Sequence, residues 1–321
     1  MERDIDYVIA VAECKSISRA ADLLYISQPS LSRYLSNLED ELGVNLFIRT
    51  INGTELTEAG KIYLEYAKEI RLLRGTMKYK LREFQKSKTN RIRIGMTLNA
   101  ASLSAFNVEA EVKKKYPDCS IELFNIFSRD MEAALRERKY DFAIGPNLGL
   151  PPEFAYDKLY RDPYILVVPD HYDIEAHAER RDSCKFPFVD LRKLPPMDYI
   201  LQEDTTFVRK GINRLLQNLG CAITPRLLVT SSTLAMQAAE NGIGACIVVV
   251  GHLAYLNHIE HLRFYQISDV EYSSAGVVYL RNRKFSKEEK YCTSCIRRAL
   301  LAGEEEIIKR LETAGRIGGI A

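Results

Sequence analysis

The stretch SISRAADLLYISQPSLSRYLSNLEDELGVNLFIRTINGTELTEAG, Ser16 to Gly60, carries most of what decides the N-terminal fold. Just before it Ile5, Val8, Ile9 and Ala12 repeat at helical intervals, and within it Ala20, Leu23 and Leu24 do the same, which predicts two short amphipathic helices. A third helix follows. Ser27 or Gln28 caps its first N–H groups, Pro29 is tolerated in its first turn, and Leu31, Leu35, Leu38 and Leu42 form a buried stripe. Gly43 then ends it in the left-handed region. Asn45–Thr50 and Glu55–Thr57 are β-like runs around Asn52-Gly53, a dipeptide suited to a type I′ hairpin turn because both central residues need positive φ.

Opposite its leucines the third helix carries Gln28, Ser30, Ser32, Arg33, Ser36 and Asn37, short hydrogen-bonding side chains that let a helix approach a groove closely. A solvated surface helix shows the same two faces, so the order of parts decides. Two helices, a turn, a Gln-Pro-initiated helix, a glycine stop and a hairpin make a winged helix-turn-helix, whose third helix meets double-stranded DNA in the major groove. Arg33 and Gln28 are the expected base readers; Ser27, Ser30, Ser32 and Arg49 are expected on phosphates, with Pro29, Asn37 and Asn52 beside them.

Ala20-Ala21, Ser27-Gln28-Pro29, Ser32, Leu38-Glu39, Leu42-Gly43, Leu46-Phe47, Arg49, Leu56-Thr57 and Ala59-Gly60 together resemble the N-terminal pattern of LysR-type transcriptional regulators. Two departures are visible: the basic residue that wings of this family commonly carry near Asn52 is missing, and Ile17 replaces the usual aromatic after Ser16. The resemblance implies a sequence-specific regulator, acting as homodimer or homotetramer and controlled by a small-molecule effector.

At 321 residues with 46% hydrophobic content the chain is long enough for more than one core. Its net charge of +2 is close to balanced, so affinity for a polyanion must come from local charge placement. Met1-Glu2-Arg3-Asp4 is charged and no apolar signal segment follows, and the longest apolar stretch, Ile243 to Val250, is far short of the ~18 residues of a membrane span. A cytoplasmic protein without membrane contact is expected. Seven scattered cysteines fit reduced thiols there, and Cys292-x-x-Cys295 lacks a second ligand pair for a metal.

The expected boundaries are a DNA-binding domain over 1–58, a linker helix over 59–88, a regulatory domain over 89–302 and a polar tail over 303–321 that forms a helix and then frays. Tyr63, Ile70, Met77 and Phe84, seven apart, with Tyr66 and Leu73 between them, read as a short heptad seam that pairs two chains; Lys80 and Gly75 weaken it. After the polar hinge Lys86–Arg91, the apolar runs Ile92–Met96, Ser120–Ile126, Phe142–Ile144, Ile165–Val168, Tyr199–Leu201, Arg226–Thr230 and Ala245–Val250 alternate with helical stretches, as in an α/β fold with parallel sheets. Arg93-Ile94-Gly95, Tyr140–Ile144, Leu166–Pro169 and Asn241–Gly244 resemble the regulatory part of the same family, a two-lobed fold like that of type 2 periplasmic binding proteins. That resemblance places lobe one at 91–161 and 267–302, lobe two at 162–266, and hinges near Gly145–Pro152 and Phe264–Ser268.

Ligands of open α/β sheets sit beyond the carboxyl ends of the strands, against helix N-termini. Three junctions fit: Thr97, Asn99 and Ser102 after Met96; Ser128 after Phe127; and Thr205, Thr206 and Phe207 after Leu201. Capping alone would explain each hydroxyl, while the set, with Leu98, Phe127 and Phe207, suits a small organic anion with an apolar body. No cofactor is expected. The chain has no P-loop, nucleophile elbow or zincin motif, so an enzyme is not expected; His258-x-x-His261, placed on one helix face, has no carboxylate or cysteine partner in sequence. A solute-binding or enzymatic α/β protein with an added DNA-binding head is the more distant reading. The nearer alternative is control by cysteine oxidation through Cys184, Cys221 or Cys246, although Glu203–Leu219, where some relatives carry a peroxide-sensing pair, contains no cysteine.

Overall fold

The structure, a computed structural model, describes residues 2–50, 53–85, 90–147 and 149–317, without the side chains of 2, 49, 79–80, 82–85, 90, 98–99 and 102–106. These residues form two compact bodies. One is the N-terminal 85 residues with Arg136–Lys139, and the other is the remainder.

The N-terminal body begins with α1 (Glu2–Cys14), α2 (Ile17–Leu23) and α3 (Gln28–Leu42). Ser16 caps α2 by accepting from Arg19 N–H, Ser27 caps α3 by accepting from Ser30 N–H, and Gly43 closes α3 at φ 69°. Ala20 and Ala21, both almost fully buried, let α2 approach α1 closely, and Val8, Val11, Leu31, Leu35, Leu38 and Leu46 fill the core between the helices. Leu42 and Leu23, expected in that core, are 42% and 59% exposed. Leu42 lies on the last turn and outside the packed cluster, and Ala20, Ala21 and Leu24 already take the inward positions of α2.

The hairpin β1 (Phe47–Thr50) and β2 (Gly53–Leu56) pairs Thr50 with Gly53. The connecting residues are therefore Ile51 and Asn52, one position earlier than the expected Asn52-Gly53 turn, and both lie outside the described residues. Gly53 is needed for another reason. Its φ is 119°, and a Cβ there would stand 2.6 Å from the Lys15 carbonyl oxygen, which also accepts Thr54 N–H at 3.1 Å. The carboxylate of Glu39 anchors the hairpin's start by accepting Leu46 N–H at 2.6 Å and Phe47 N–H at 2.9 Å.

Helix α4 (Glu58–Gln85) packs Tyr63, Leu64 and Ala67 on Ile5 and Ile9 of α1. Tyr63 thus belongs to this body's own core rather than to the expected seam. The apolar stripe left in the open is Ile62, Tyr66, Ile70, Leu73, Met77 and Leu81, each at least 42% exposed. The side chains of Lys80 and Phe84 are outside the description.

The second body is built on one sheet. In chain order it runs β3 (Asn90–Met96), α5 (Leu98–Lys115), β4 (Cys119–Asn125), α6 (Met131–Arg136), β5 (Phe142–Gly145), β6 (Phe154–Pro169), β7 (Ala178–Glu179), β8 (Phe188–Val189), β9 (Tyr199–Gln202), α7 (Phe207–Leu219), β10 (Leu227–Val229), α8 (Ser232–Glu240), β11 (Ala245–Val249), β12 (Leu262–Gln266), β13 (Tyr272–Leu280) and α9 (Lys287–Thr313). Its main path is β10-β9-β11-β6-β13-β5-β3-β4. All seven expected runs are strands, but pairing is mixed: β3 with β4 and β5, and β9 with β10 and β11, are parallel, whereas β6 runs antiparallel to β11, β12 and β13. The expected parallel pairing is thus present in each half, and the antiparallel strands β6, β12 and β13 are added to it.

Strand β6 joins the two halves. Phe154 to Pro163 pair with β13, and Tyr164 to Pro169 pair with β11 and β12. The first passage between halves is therefore inside β6, not in the connection Gly145–Pro152, where a hinge was expected; the second is the link 267–271. One apolar cluster continues across both, joining Ile92 and Ile94 of β3 to Ile200, Val248 and Ile296. Helix α9, opened by a Ser286/Glu289 capping box, does not stop at residue 302. The tail is helical to Thr313 as expected, but it is not wholly polar: Ile307, Leu311 and Ile317 are buried and Arg316 bonds Asp170 at 3.0 Å, so it is part of the core as far as Ile317.

Candidate functional site

On α3, Ser27, Gln28, Pro29, Ser30, Arg33, Ser36 and Asn37 are exposed and Ser32 is half-buried, on the side away from Leu31, Leu35 and Leu38. The helix is fixed from within. The Tyr34 hydroxyl donates to Asp4 of α1, which pushes its pKa up to about 12, and its ring meets Tyr7 edge-on at 4.9 Å. Ser27 and Ser30 share a hydroxyl hydrogen bond of 2.7 Å on top of the cap, so both are committed to the helix start. Gln28, Arg33 and Asn37 make no side-chain hydrogen bond among the described residues, and their donors are free for a partner. Arg49 lies in β1 opposite Thr54, its side chain outside the description, as is the whole of Asn52. Tyr25 was missed in the sequence. It precedes α3 at φ 55° with 96% exposure, an aromatic held outward in a backbone region that few side chains adopt.

In the second body a cleft of about 420 Å³ opens between the halves of the sheet, within the size range of small-molecule sites. Thr97, Ser128, Thr205, Thr206 and Phe207 all line it; the side chains of Asn99 and Ser102 are outside the description. The hydroxyls divide in two. Thr206 accepts Arg209 N–H at the start of α7 and Ser231 accepts Leu234 N–H at the start of α8, so these act as caps. Thr97 precedes α5 without a side-chain capping bond, and Ser128 and Thr205 make none among the described residues, so these three face the cleft unspent.

Other lining residues were not foreseen. Thr230-Ser231-Ser232 form a further strand-to-helix junction, readable by the rule used for the others. Gln202, fully buried, gives its amide Nε2 to Ser232 Oγ at 3.1 Å and to the Ile247 carbonyl at 3.3 Å, and leaves Oε1 without a partner. Asp162, 7% exposed, accepts Gly251 N–H at 3.1 Å, and burial pushes its carboxyl up to about 7. Burial holds the neighbouring His252 imidazole down to about 3 and raises the Tyr160 hydroxyl beside Asp162 and Glu304.

Two sequence profiles match the chain. That of the bacterial regulatory helix-turn-helix protein, lysR family, covers residues 3–61, and that of the LysR substrate binding domain covers residues 85–298. The chain belongs to the LysR family. Among its curated LysR relatives is the Hca operon transcriptional activator HcaR of Escherichia coli, 30% identical over 193 residues, which are 59% of this chain and 64% of HcaR. The alignment thus spans a little under two thirds of that relative. The LysR fold is also that of a Corynebacterium glutamicum OxyR C206 mutant, at 23% identity and TM-score 0.58 over 97% of this chain and 96% of that one. Full-length CbnR in complex with its target DNA matches at 19% identity and TM-score 0.52, covering 94% and 99%.

Other motifs read from this LysR chain take no part in either site. Cys292 and Cys295 are buried in α9, and among the described residues no group of three metal-ligating side chains occurs. His258 and His261 are exposed in the irregular segment before β12, not on a helix as expected. Burial pushes the thiols of Cys184, Cys221 and Cys246 up, away from the reactive thiolate form. Among the described residues no helix is long and apolar enough to cross a membrane.

Proposed function

We propose that the chain is a cytoplasmic, sequence-specific transcription factor that pairs with a second copy, binds double-stranded DNA through α3 and answers to a small molecule held in the cleft. The observation that carries this is the free Gln28, Arg33 and Asn37 rim on a helix whose other face is locked by leucines and by Tyr34. The exposed stripe from Ile62 to Leu81 supports pairing of two α4 helices, which would bring two α3 helices to half-sites about one helical turn apart. The reported CbnR–DNA complex supports the same use of the head. The chain acts by binding and needs no cofactor; its cleft supplies hydroxyls and helix ends that hold a ligand rather than an activated nucleophile. Thiol control is the weaker reading, because the raised Cys184, Cys221 and Cys246 thiols are poor nucleophiles.

Footprinting of genomic fragments captured by the full-length chain tests this. Two protected half-sites about one helical turn apart, with affinity falling steeply as salt rises, are expected. Absence of duplex binding at low ionic strength would overturn it.

A further inference from the structure

The cleft holds a poor set of groups for a plain anion. Its lining cation, Arg129, is 77% exposed and lies over the Phe127 ring. The buried Arg209 is not among the lining residues; it donates to the Gln202 carbonyl at 2.5 Å and to Asn213 Oδ1 at 2.6 Å, and lies 3.5 Å from Asp204. His252 stays neutral. Among the described residues, no buried cation is left over for a ligand.

Acceptors are left over instead. The orientation of the Gln202 amide is forced, because the Ile247 carbonyl only accepts and must face Nε2; Oε1 therefore stands fully buried in the cleft wall with no donor. Asp162 is more than nine-tenths buried, lines the same cleft and has no cation within ion-pair distance among the described residues. The two sit close in the sheet. The β6–β11 register, Tyr164 beside Val249, brings Asp162 to Gly251 at the carboxyl end of β11, while the Gln202 side chain reaches Ile247 of the same strand. A buried acceptor without a donor costs free energy, and a buried carboxylate without a cation costs more. The unspent hydroxyls of Thr97 and Thr205 line the same cleft beside the starts of α5 and α7, where backbone N–H groups favour a carboxylate.

From this we infer that the occupant of the cleft is a zwitterion of the amino-acid class, its ammonium donating to Asp162 and Gln202 Oε1 and its carboxylate held by Thr97, Thr205 and the helix starts. The inference rests on the cleft being the effector site. On entry the ammonium replaces the proton that burial keeps on the Asp162 carboxyl, and that proton leaves to solvent. The charged and titratable groups around Asp162 are Tyr160 on its own strand, Glu304 of α9, paired with Lys185 at 2.5 Å, and His252 from the turn after β11.

Calorimetric titration of the full-length chain with the common amino acids is the test, followed, for each that binds, by its 2-oxo acid and its N-acetyl derivative. At least one amino acid should bind, and both amine-less analogues should bind at least about tenfold more weakly, with proton release on binding near pH 6.5. Asp162→Asn, which keeps an acceptor for Gly251, should shrink that preference to less than about threefold. Equal binding of a 2-oxo acid, or no binding by any amino acid, would overturn the inference. The ligand series uses the unaltered chain, so it decides the matter even where Asp162→Asn fails to fold. Thr205→Trp, which fills the cleft, separates the two readings. Amino-acid binding that survives it would place the site elsewhere and sink the cleft reading, whereas binding that is lost but indifferent to the amine would sink only the zwitterion.

Discussion

On α3 the free polar side chains, Gln28, Arg33 and Asn37, stand within about two and a half turns of a single helix, whereas the cleft gathers Thr97, Ser128, Gln202 and Thr205 from strand ends far apart in the chain. The helix needs only its leucines to aim its rim. The cleft needs β6 to carry the chain across, β11 to hold Asp162 and Gln202 together, and α9 to close the core beneath. Change at a single outward residue of α3 alters its surface without disturbing the leucines that hold it. A site assembled from the whole sheet couples ligand binding to the stability of the body that holds it.

That contrast is open to direct attack, beginning with the packing of the head. A Cβ on Gly60 would lie 2.0 Å from the Leu46 carbonyl oxygen, so Gly60→Ala should cost the N-terminal body about 3 kcal/mol. Scanning calorimetry should show one transition moved and the other in place; a joint shift would mean that the bodies unfold as one. Next comes the α4 stripe. Leu73→Glu with Met77→Glu should raise the dissociation constant of the pair by about 100-fold in sedimentation equilibrium, as two buried apolar side chains would give.

Smaller effects probe the cleft. The folded body keeps a proton on Asp162, raised to about 7, that the unfolded chain releases from an ordinary value of 3.8. Asp162 therefore lowers stability as pH climbs from about 4 to about 7. His252, held down to about 3 from 6.5, acts oppositely, and its contribution is lost as pH falls from about 6.5 to about 3. Asp162→Asn should stabilise the second body by up to a few kcal/mol at pH 7.5 and by well under about 1 kcal/mol at pH 4. Urea midpoints at the two pH values check this, and equal gains at both would contradict it. Smallest is the division of the hydroxyls. Thr206→Val should cost about 1 kcal/mol of stability through the lost cap, while Thr97→Val should leave the melting temperature in place and weaken ligand binding.

The head was legible because its inward and outward positions follow the helical period. Where the reading slipped there, tertiary context decided: Gly53 also answers to the Lys15 carbonyl, and Leu42, on the last turn of α3, stays 42% exposed. In the second body the strand-to-helix rule located Thr97, Ser128 and Thr205, and applied once more would have reached Ser231 and Ser232. Gln202 and Asp162 could not be read that way, since a polar residue in an apolar strand signals nothing until Ile247 and Gly251 are set against it. Strand β13 hides in the small and polar run Tyr272–Gly276. The charged run Glu304-Glu305-Glu306 likewise masked the stripe Ile296, Leu300, Ile307 and Leu311, because buried Glu304 finds its partner in Lys185.

The reading of α3 stands or falls on the side chain at position 33. Binding of the full-length chain and of Arg33→Ala should be profiled at fixed salt on a captured site and on every single-base variant of it. Loss of about 1–3 kcal/mol on the native site, with preference relaxed at one base pair in each half-site, is the predicted result. A loss of equal size on every sequence, or none at all, would contradict base reading by this helix.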